Sequence, residues 1–468
     1  MILIVLVGLR AWFVGPMWLD ESFVSFGYSD RIARGYGPFL PGQDLPYEAF
    51  SNPLWVGFFG LVGSLNLSET KVQEALSVLM SVLLTWLAFR AAQQRTGKHP
   101  AFWAVLLLGL APVAVAARDG GDSVWLALLS LWAAASIAKD LKSAKDRPQS
   151  TIALALLSWS GWLGLMASLG LASLSVRLGR WRNLMVVGLC FGLLTVLRWL
   201  LFKTVIPPVL SMPEGGWDVF AWMPGMCALS LVGLVASWRI GRPFLPYAVI
   251  LVSTWIGGFM GGQPAHGFGV ALIPAVGVMV VLIADTIDQG HSKWWWIVIG
   301  LLMIGHDLKK GEAALSSVRQ ARLTNYFQGR GMGRFLLWRF NSEDRIIVHR
   351  PGVVSYYARR PVTDMSGRLH KNRPTPEQAL EANPVAVLPE KSIVSQKAQR
   401  LELGDAWSPM LERRYKQYAI QHQKAWQMVD FDPVWFHIYI RKDLPMLRPD
   451  IPESNGNILP RADPFGAP

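Results

Sequence analysis

Over its first two thirds the chain alternates long apolar runs with short polar turns, and this period sets the first expectation. A bilayer core of about 30 Å is crossed by roughly 20 apolar helical residues, and a backbone in lipid satisfies its polar groups only as a helix or a closed barrel. The runs predict spans near 1–17, 72–92, 100–117, 123–138, 184–202, 219–238, 244–261, 268–285 and 294–306. The apolar stretch 151–176 is too long for one comfortable crossing and short for two, so it reads as a helical hairpin with its tip near Ser168 and Gly170. About eleven crossings result. Residues 53–66 are apolar but too short to cross and begin at Pro53; they are expected to lie on the outer leaflet as an interfacial helix, with Trp55 at headgroup depth.

From residue 307 the pattern changes. Short apolar runs at 345–358, 383–389 and 434–441 read as strands and the stretches 312–327 and 409–427 as helices, with a Pro-rich flexible tail over 449–468. The expected fold is a polytopic α-helical membrane domain over 1–306, with an external loop at 18–71, followed by a soluble α+β domain over 307–448. Charge supports the division. Residues 1–306 hold 20 basic and 15 acidic side chains, whereas the shorter 307–468 holds 25 and 17. The whole chain is 52% hydrophobic and 16% charged, which excludes a disordered chain, a small disulfide scaffold and a one-domain cytosolic enzyme. Cys190 and Cys227 both lie in apolar runs, where a thiol behaves as a small hydrophobe.

Basic residues cluster in particular turns: Arg90, Arg95 and Lys98; Lys139, Lys142, Lys145 and Arg147; Arg177, Arg180 and Arg182; Arg239 and Arg242. The positive-inside rule makes those turns cytoplasmic. The N-terminus is then expected inside a bacterial cytoplasmic membrane, and the loop at 18–71, the turn at 118–123, the loop at 203–218, the turn at 258–267 and the whole tail from 307 outside, on the periplasmic face. Because Lys and Arg recur between apolar runs and form no single stripe with aromatics, membrane lipids and not nucleic acid are the expected partners.

The polar residues with the most chemistry follow the first span. Asp20 and Glu21 stand side by side at the water-facing end of a membrane helix, where paired carboxylates are costly unless solvated, paired or metal-bound. The text around them is WLDESFVSFGYSDRIARGYGPFLPGQDLPYEAFSNPLW, residues 18–55. An acidic pair is followed by Phe23, Ser25, Tyr28, the Ala33-Arg34-Gly35-Tyr36-Gly37 step, the Pro41-Gly42 turn and the Ser51-Asn52-Pro53-Leu54-Trp55 run. In order and spacing this stretch resembles the first external loop of membrane-embedded C-type glycosyltransferases, the GT-C superfamily, and within it the branch of the mycobacterial terminal arabinofuranosyltransferase. Three further segments are similar to that branch: RDGGDSVWLALLSLW at 118–132, with Asp122 standing for the family's acid; LRWLLFKTVIPPV at 197–209; and RPVTDMSGRL at 360–369.

The departures are equally specific. Where the family has Gly-Gly-Asp and then Arg-Phe, this chain reads GGFMGGQPAHGFGVALIP over 257–274, with His266 in place of a charged group. The Thr-Arg-Pro-Glu-Gly step appears as Met166-Ala167-Ser168-Leu169-Gly170. A changed donor or an inactive paralogue would both produce such losses.

The resemblance implies a donor sugar carried on a polyprenyl phosphate and an acceptor that is an envelope glycan, a lipid or a protein. Asp20 is then the candidate general base, with Glu21 and Asp122 as further catalytic or acceptor-positioning carboxylates. Asp20 and Asp122 form a candidate pair for Mg²⁺ or Mn²⁺, since hard carboxylate oxygens suit these ions. Arg198 and Lys203, at the outer end of a span, together with Arg10 and His266, are the candidates for the donor phosphate, and Tyr28 and Tyr36 for the acceptor. Each also fits a plain structural role: helix caps for the acids, snorkelling for Lys203 and Arg198, and an internal ion pair for Arg10. With one base and a departing phosphate, inversion at the anomeric carbon is favoured. Two other classes stay open, a transporter or flippase of lipid-linked sugars and a non-catalytic membrane scaffold.

Overall fold

The computed structural model describes residues 18, 20–40, 48–96, 121–143, 147–176, 179–205, 245–250, 252–253, 329–349, 352–365, 374–388, 393–394, 411, 413–422 and 434–444. The chain divides into two compact units, Met1–Phe39 with Leu45–Tyr326, and Leu40–Asp44 with Phe327–Pro468. In the first unit the described helices are α1 (Asp20–Ala33), α2 (Pro53–Ser64), α3 (Glu69–Thr96), α4 (Ser123–Ser143), α5 (Pro148–Ser158), α6 (Gly161–Val176) and α7 (Trp181–Phe202). Among the described residues, three stretches are long and apolar enough to cross a membrane: Glu69–Ala91, Ser123–Leu141 and Trp181–Phe202. They coincide with the spans expected at 72–92, 123–138 and 184–202. Along α7, Met185, Leu189, Val196 and Leu200 form an exposed apolar stripe. In water such a stripe would be a large unprotected patch; in a bilayer it is the side that meets lipid. The spans expected at 1–17, 100–117, 219–238, 268–285 and 294–306, and most of that at 244–261, lie outside the described residues.

The expected hairpin exists with a different tip. The chain breaks between α5 and α6 at Trp159–Ser160, and Ser168 and Gly170 lie inside α6. Gly161 takes φ +86°, a left-handed backbone that glycine adopts without strain, and a Cβ there would sit 2.3 Å from the Ser51 carbonyl oxygen. Gly170 is a packing glycine instead, since a Cβ would meet Ser253 Oγ at 2.6 Å and Val249 Cγ1 at 2.7 Å.

Contacts at the two ends of this bundle fix its direction. The Asp140 carboxylate, in the last turns of α4, lies 3.2 Å from Arg180 Nη1 and 4.0 Å from Arg147 Nε, and its backbone carbonyl accepts Arg180 Nη2 at 3.3 Å. That joins the end of α4, the start of α5 and the start of α7. At the other end Leu54 N–H donates to the Trp159 carbonyl (3.3 Å), and Trp125 Nε1 donates to Ser160 Oγ (3.3 Å). The α5–α6 pair therefore rises from the basic end and returns to it.

Helices α1 and α2 run parallel, as the ascending contacts Ser29–Val56, Ile32–Gly60 and Ala33–Gly63 require. Ser29 Oγ donates to the Val56 carbonyl at 3.0 Å, and a Cβ on Gly60 or Gly63 would come within 2.9 Å of α1, so both glycines permit the close approach. The α2 helix spans nearly the range expected of the interfacial helix. Trp55, however, is buried, edge-on to Phe59 at 4.8 Å and tilted against Trp125 at 6.1 Å; intramolecular aromatic packing takes the place expected for lipid headgroups.

In the second unit β1 (Ile346–Val348), α8 (Gly352–Ala358), β2 (Val362–Asp364), α9 (Pro376–Glu381), β3 (Ala386–Leu388), β4 (Ile393–Val394), β5 (Tyr415–His422) and β6 (Val434–Arg441) follow in order. Strands β2, β1 and β3 are parallel, and β6 closes antiparallel on β3 and β4 along one edge and on β5 along the other. Every residue of β1, β2 and β3 is buried, as expected of parallel strands covered on both faces. The run 345–358 is not one strand, because it divides at His349–Pro351 into β1 and α8. The stretch expected to be helical at 409–427 contains β5, paired over its whole length with β6 from Tyr415↔Arg441 to His422↔Val434. Helix α9 carries a capping box in which Thr375 and Gln378 satisfy each other's backbone N–H groups.

Tyr415 links β5 to the segment before β3 by donating its hydroxyl to the Pro384 carbonyl at 2.7 Å. Burial pushes this phenol up to about 12, against the opposing pull of Arg441 and Arg414. A folded-state value above the unfolded one means that the phenol stabilises the fold fully below about pH 10, and that this contribution disappears as pH rises toward 12. Alkaline unfolding followed by tyrosine absorbance should show this step in the wild type, and Tyr415→Phe should remove it.

Candidate functional site

Asp20 is the first residue of α1 and Glu21 the second, positions where the positive end of the helix dipole favours carboxylates. The start of α1 is held from both sides. Trp18 is buried and donates Nε1 to Gln73 Oε1 of α3 at 3.0 Å, and Trp18, Phe23 and Phe26 stack edge to face at 5.7 Å spacings. Phe26 continues this stack onto Phe59 of α2.

The chain after α1 returns over the same end of the bundle. Arg31 Nε donates to the Phe39 carbonyl, and its guanidinium lies 4.0 Å over the Tyr36 ring. Tyr36 is exposed, whereas Tyr28 is fully buried, with its hydroxyl accepting the Ala49 N–H and its ring against Phe50. Of the two candidate acceptor-binding tyrosines, only Tyr36 reaches the surface. Phe50 and Phe39 both pack on Phe202 at the end of α7, so aromatic contacts seat the loop on that helix.

Two polar pairs lie in this returning segment. Asn52 caps α2: its Oδ1 accepts the Trp55 N–H at 3.0 Å, with Pro53 in the first turn where no N–H is needed. The Asn52 amide also faces Asp122, whose carbonyl accepts the Leu126 N–H at the start of α4. Burial raises the Asp122 carboxyl above the ordinary carboxylate range, and Asn52 partly offsets this. The Nε1 of Trp55 is a buried N–H donor without a hydrogen-bond partner among the described residues. The second pair is Glu48 with Arg198. Arg198 Nε lies 3.0 and 2.9 Å from the two Glu48 oxygens, both side chains are buried, and 150 residues of sequence separate them. Burial raises the Glu48 carboxyl, and Arg198 pulls it back down.

Arg198 therefore sits in the last turns of α7 with a carboxylate already on it. Lys203 ends the same helix in a left-handed conformation (φ 55°), exposed, with its ammonium 5.3 Å from the Trp199 ring centroid. Arg10 and His266 lie outside the described residues. Among the described residues no three His, Cys, Asp or Glu side chains group as a metal site. Sequence reasoning assigned no role to Glu48 or Asn52. The Asn52-Pro53 step before an apolar run is a helix-start signal that could have marked Asn52; nothing local pairs residue 48 with residue 198.

The helical unit, with three described stretches long and apolar enough to cross a membrane, and the small α/β sheet unit have the fold of known solved proteins. The chain is similar to ArnT from Cupriavidus metallidurans in the apo state (TM-score 0.57, 14% identity, covering 93% of this chain and 97% of that one). ArnT bound to undecaprenyl phosphate gives a TM-score of 0.54 at the same identity and coverage. The archaeal oligosaccharyltransferase AglB from Archaeoglobus fulgidus, in complex with an inhibitory peptide and a dolichol-phosphate, gives 0.53 at 11% identity over 97% of this chain and 74% of that one. No family model matches the sequence, and no curated protein matches it.

Proposed function

We propose that the protein is a glycosyltransferase that moves a single sugar from a polyprenyl-phosphate donor to an acceptor glycan, lipid or protein outside the cytoplasmic membrane. One observation carries the reading: the loop whose sequence resembles the first external loop of GT-C enzymes is seated by Asn52–Asp122 and Glu48–Arg198 on the ends of α4 and α7, within a GT-C fold. In this reading Asp20 accepts the proton of the acceptor hydroxyl as its oxygen attacks the anomeric carbon. The bond from that carbon to the phosphate oxygen breaks, the electron pair leaves with the polyprenyl phosphate, and the configuration inverts. Arg198 and Lys203, with Arg10 and His266, stabilise the leaving phosphate. Asp122 positions the acceptor, and Tyr36 is the tyrosine available to contact it. A Mg²⁺ or Mn²⁺ ion would require Asp20 to meet Asp122. The basic end that gathers Asp140, Arg147 and Arg180 supports a cytoplasmic assignment for that end, and so an external one for the site. The loop's resemblance to the branch of the mycobacterial terminal arabinofuranosyltransferase supports including an arabinofuranosyl group among the donor sugars to test.

The experiment is transfer from a panel of radiolabelled polyprenyl-phosphate sugars to envelope acceptors by the purified protein in lipid nanodiscs. Transfer from at least one donor is expected, and Asp122→Asn should raise the KM for the acceptor about tenfold or more, with the donor KM nearly unchanged. Vesicle flipping of the donors without any transfer would instead identify a flippase.

A further inference from the structure

The Glu48–Arg198 pair uses the guanidinium in an unusual way. Arginine carries five N–H donors, and a carboxylate normally engages two of them side by side. Here only Nε donates, to both Glu48 oxygens. Among the described residues no acceptor binds Nη1 or Nη2. Glu48 itself is completely enclosed and reaches Arg198 from a loop tied down by Tyr28, Phe50 and Asn52.

We infer that Glu48 is a positioning residue for a phosphate site: it clamps Arg198 through Nε alone, so that Nη1 and Nη2 face outward as a two-pronged fork for the phosphate of a polyprenyl carrier. This rests on the proposed function and assigns to that site a residue not previously included in it. The clamp has two effects. It fixes the fork's direction without freezing a flexible side chain at the moment of binding. It also neutralises the Arg198 charge, so the site holds a lipid phosphate loosely enough to release it after transfer.

These effects separate by substitution. Glu48→Gln keeps an oxygen for Nε but removes the negative charge, and should tighten binding of undecaprenyl phosphate to the full-length protein in nanodiscs about tenfold. Glu48→Ala removes the clamp and should weaken that binding about tenfold. A merely structural pair predicts that both substitutions weaken binding together, in step with the melting temperature, and that result would overturn the inference. Because each single variant leaves a buried arginine short of its partner and can fail to fold, the charge-swapped Glu48→Arg/Arg198→Glu protein is the second arm. It should recover the melting temperature and not the binding; recovery of both would equally overturn the positioning role. Arg198→Ala with wild-type affinity would instead overturn the assignment of Arg198 to the phosphate, a failure of the functional reading itself. Inorganic phosphate should compete only at millimolar concentration, and equal affinity for it would reject the carrier lipid as the occupant.

Discussion

Asp20→Asn should lower sugar transfer by about 10²–10⁴-fold while the protein still assembles, which is the contribution of a positioned general base. Asn is nearly isosteric and is well tolerated at a helix start, and the contacts that hold the beginning of α1, Trp18 to Gln73 and Phe23 to Phe26, do not involve residue 20. The melting temperature in nanodiscs should therefore stay close to wild type while turnover collapses at every donor concentration. Full turnover by the variant would remove Asp20 from the mechanism and leave Glu21 or Asp122 to be tested as the base.

The largest structural effect is expected at Gly161. Alanine there must adopt φ +86° and bring its Cβ to 2.3 Å from the Ser51 carbonyl, a backbone atom held in place by its neighbours Asn52 and Phe50. The left-handed conformation alone costs about 1–2 kcal/mol, and the clash adds to it by forcing the loop off the hairpin. Gly161→Ala should lower the melting temperature severely and take transfer with it, since the same loop carries Glu48 and Asn52. Gly57→Ala is the control. Its Cβ meets nothing within 4 Å on a helix, so stability should hold or rise slightly. Equal losses for the two variants would show that the Ser51–Gly161 contact does not hold the loop.

The bundle was legible where length and hydropathy decide, as at Ser123–Leu141 and Trp181–Phe202, because bilayer thickness imposes those lengths on any sequence. It was illegible where two glycines carry the same local signal. Gly161 and Gly170 both follow apolar and serine residues, and only tertiary contact makes one a turn and the other a packing point. In the second unit, β6 was visible as a short apolar run, whereas β5 was not: Tyr-Lys-Gln-Tyr-Ala-Ile-Gln-His has no strong period, and its strand state comes from pairing with β6. For the site, the 18–55 loop and the 118–132 segment with Asp122 are readable as a resemblance in the sequence, but the partners that seat the loop depend on contacts across 150 residues, which no local pattern encodes.

The hydrogen bond from Leu54 to Trp159 also dictates an order of biogenesis. The acceptor emerges from the ribosome about a hundred residues after the donor, roughly 5–20 s later at ordinary synthesis rates. Until the α5–α6 turn has been made, Leu54 lacks this acceptor, so nascent chains halted before residue 160 should expose the segment around Leu54 to protease more than longer ones do.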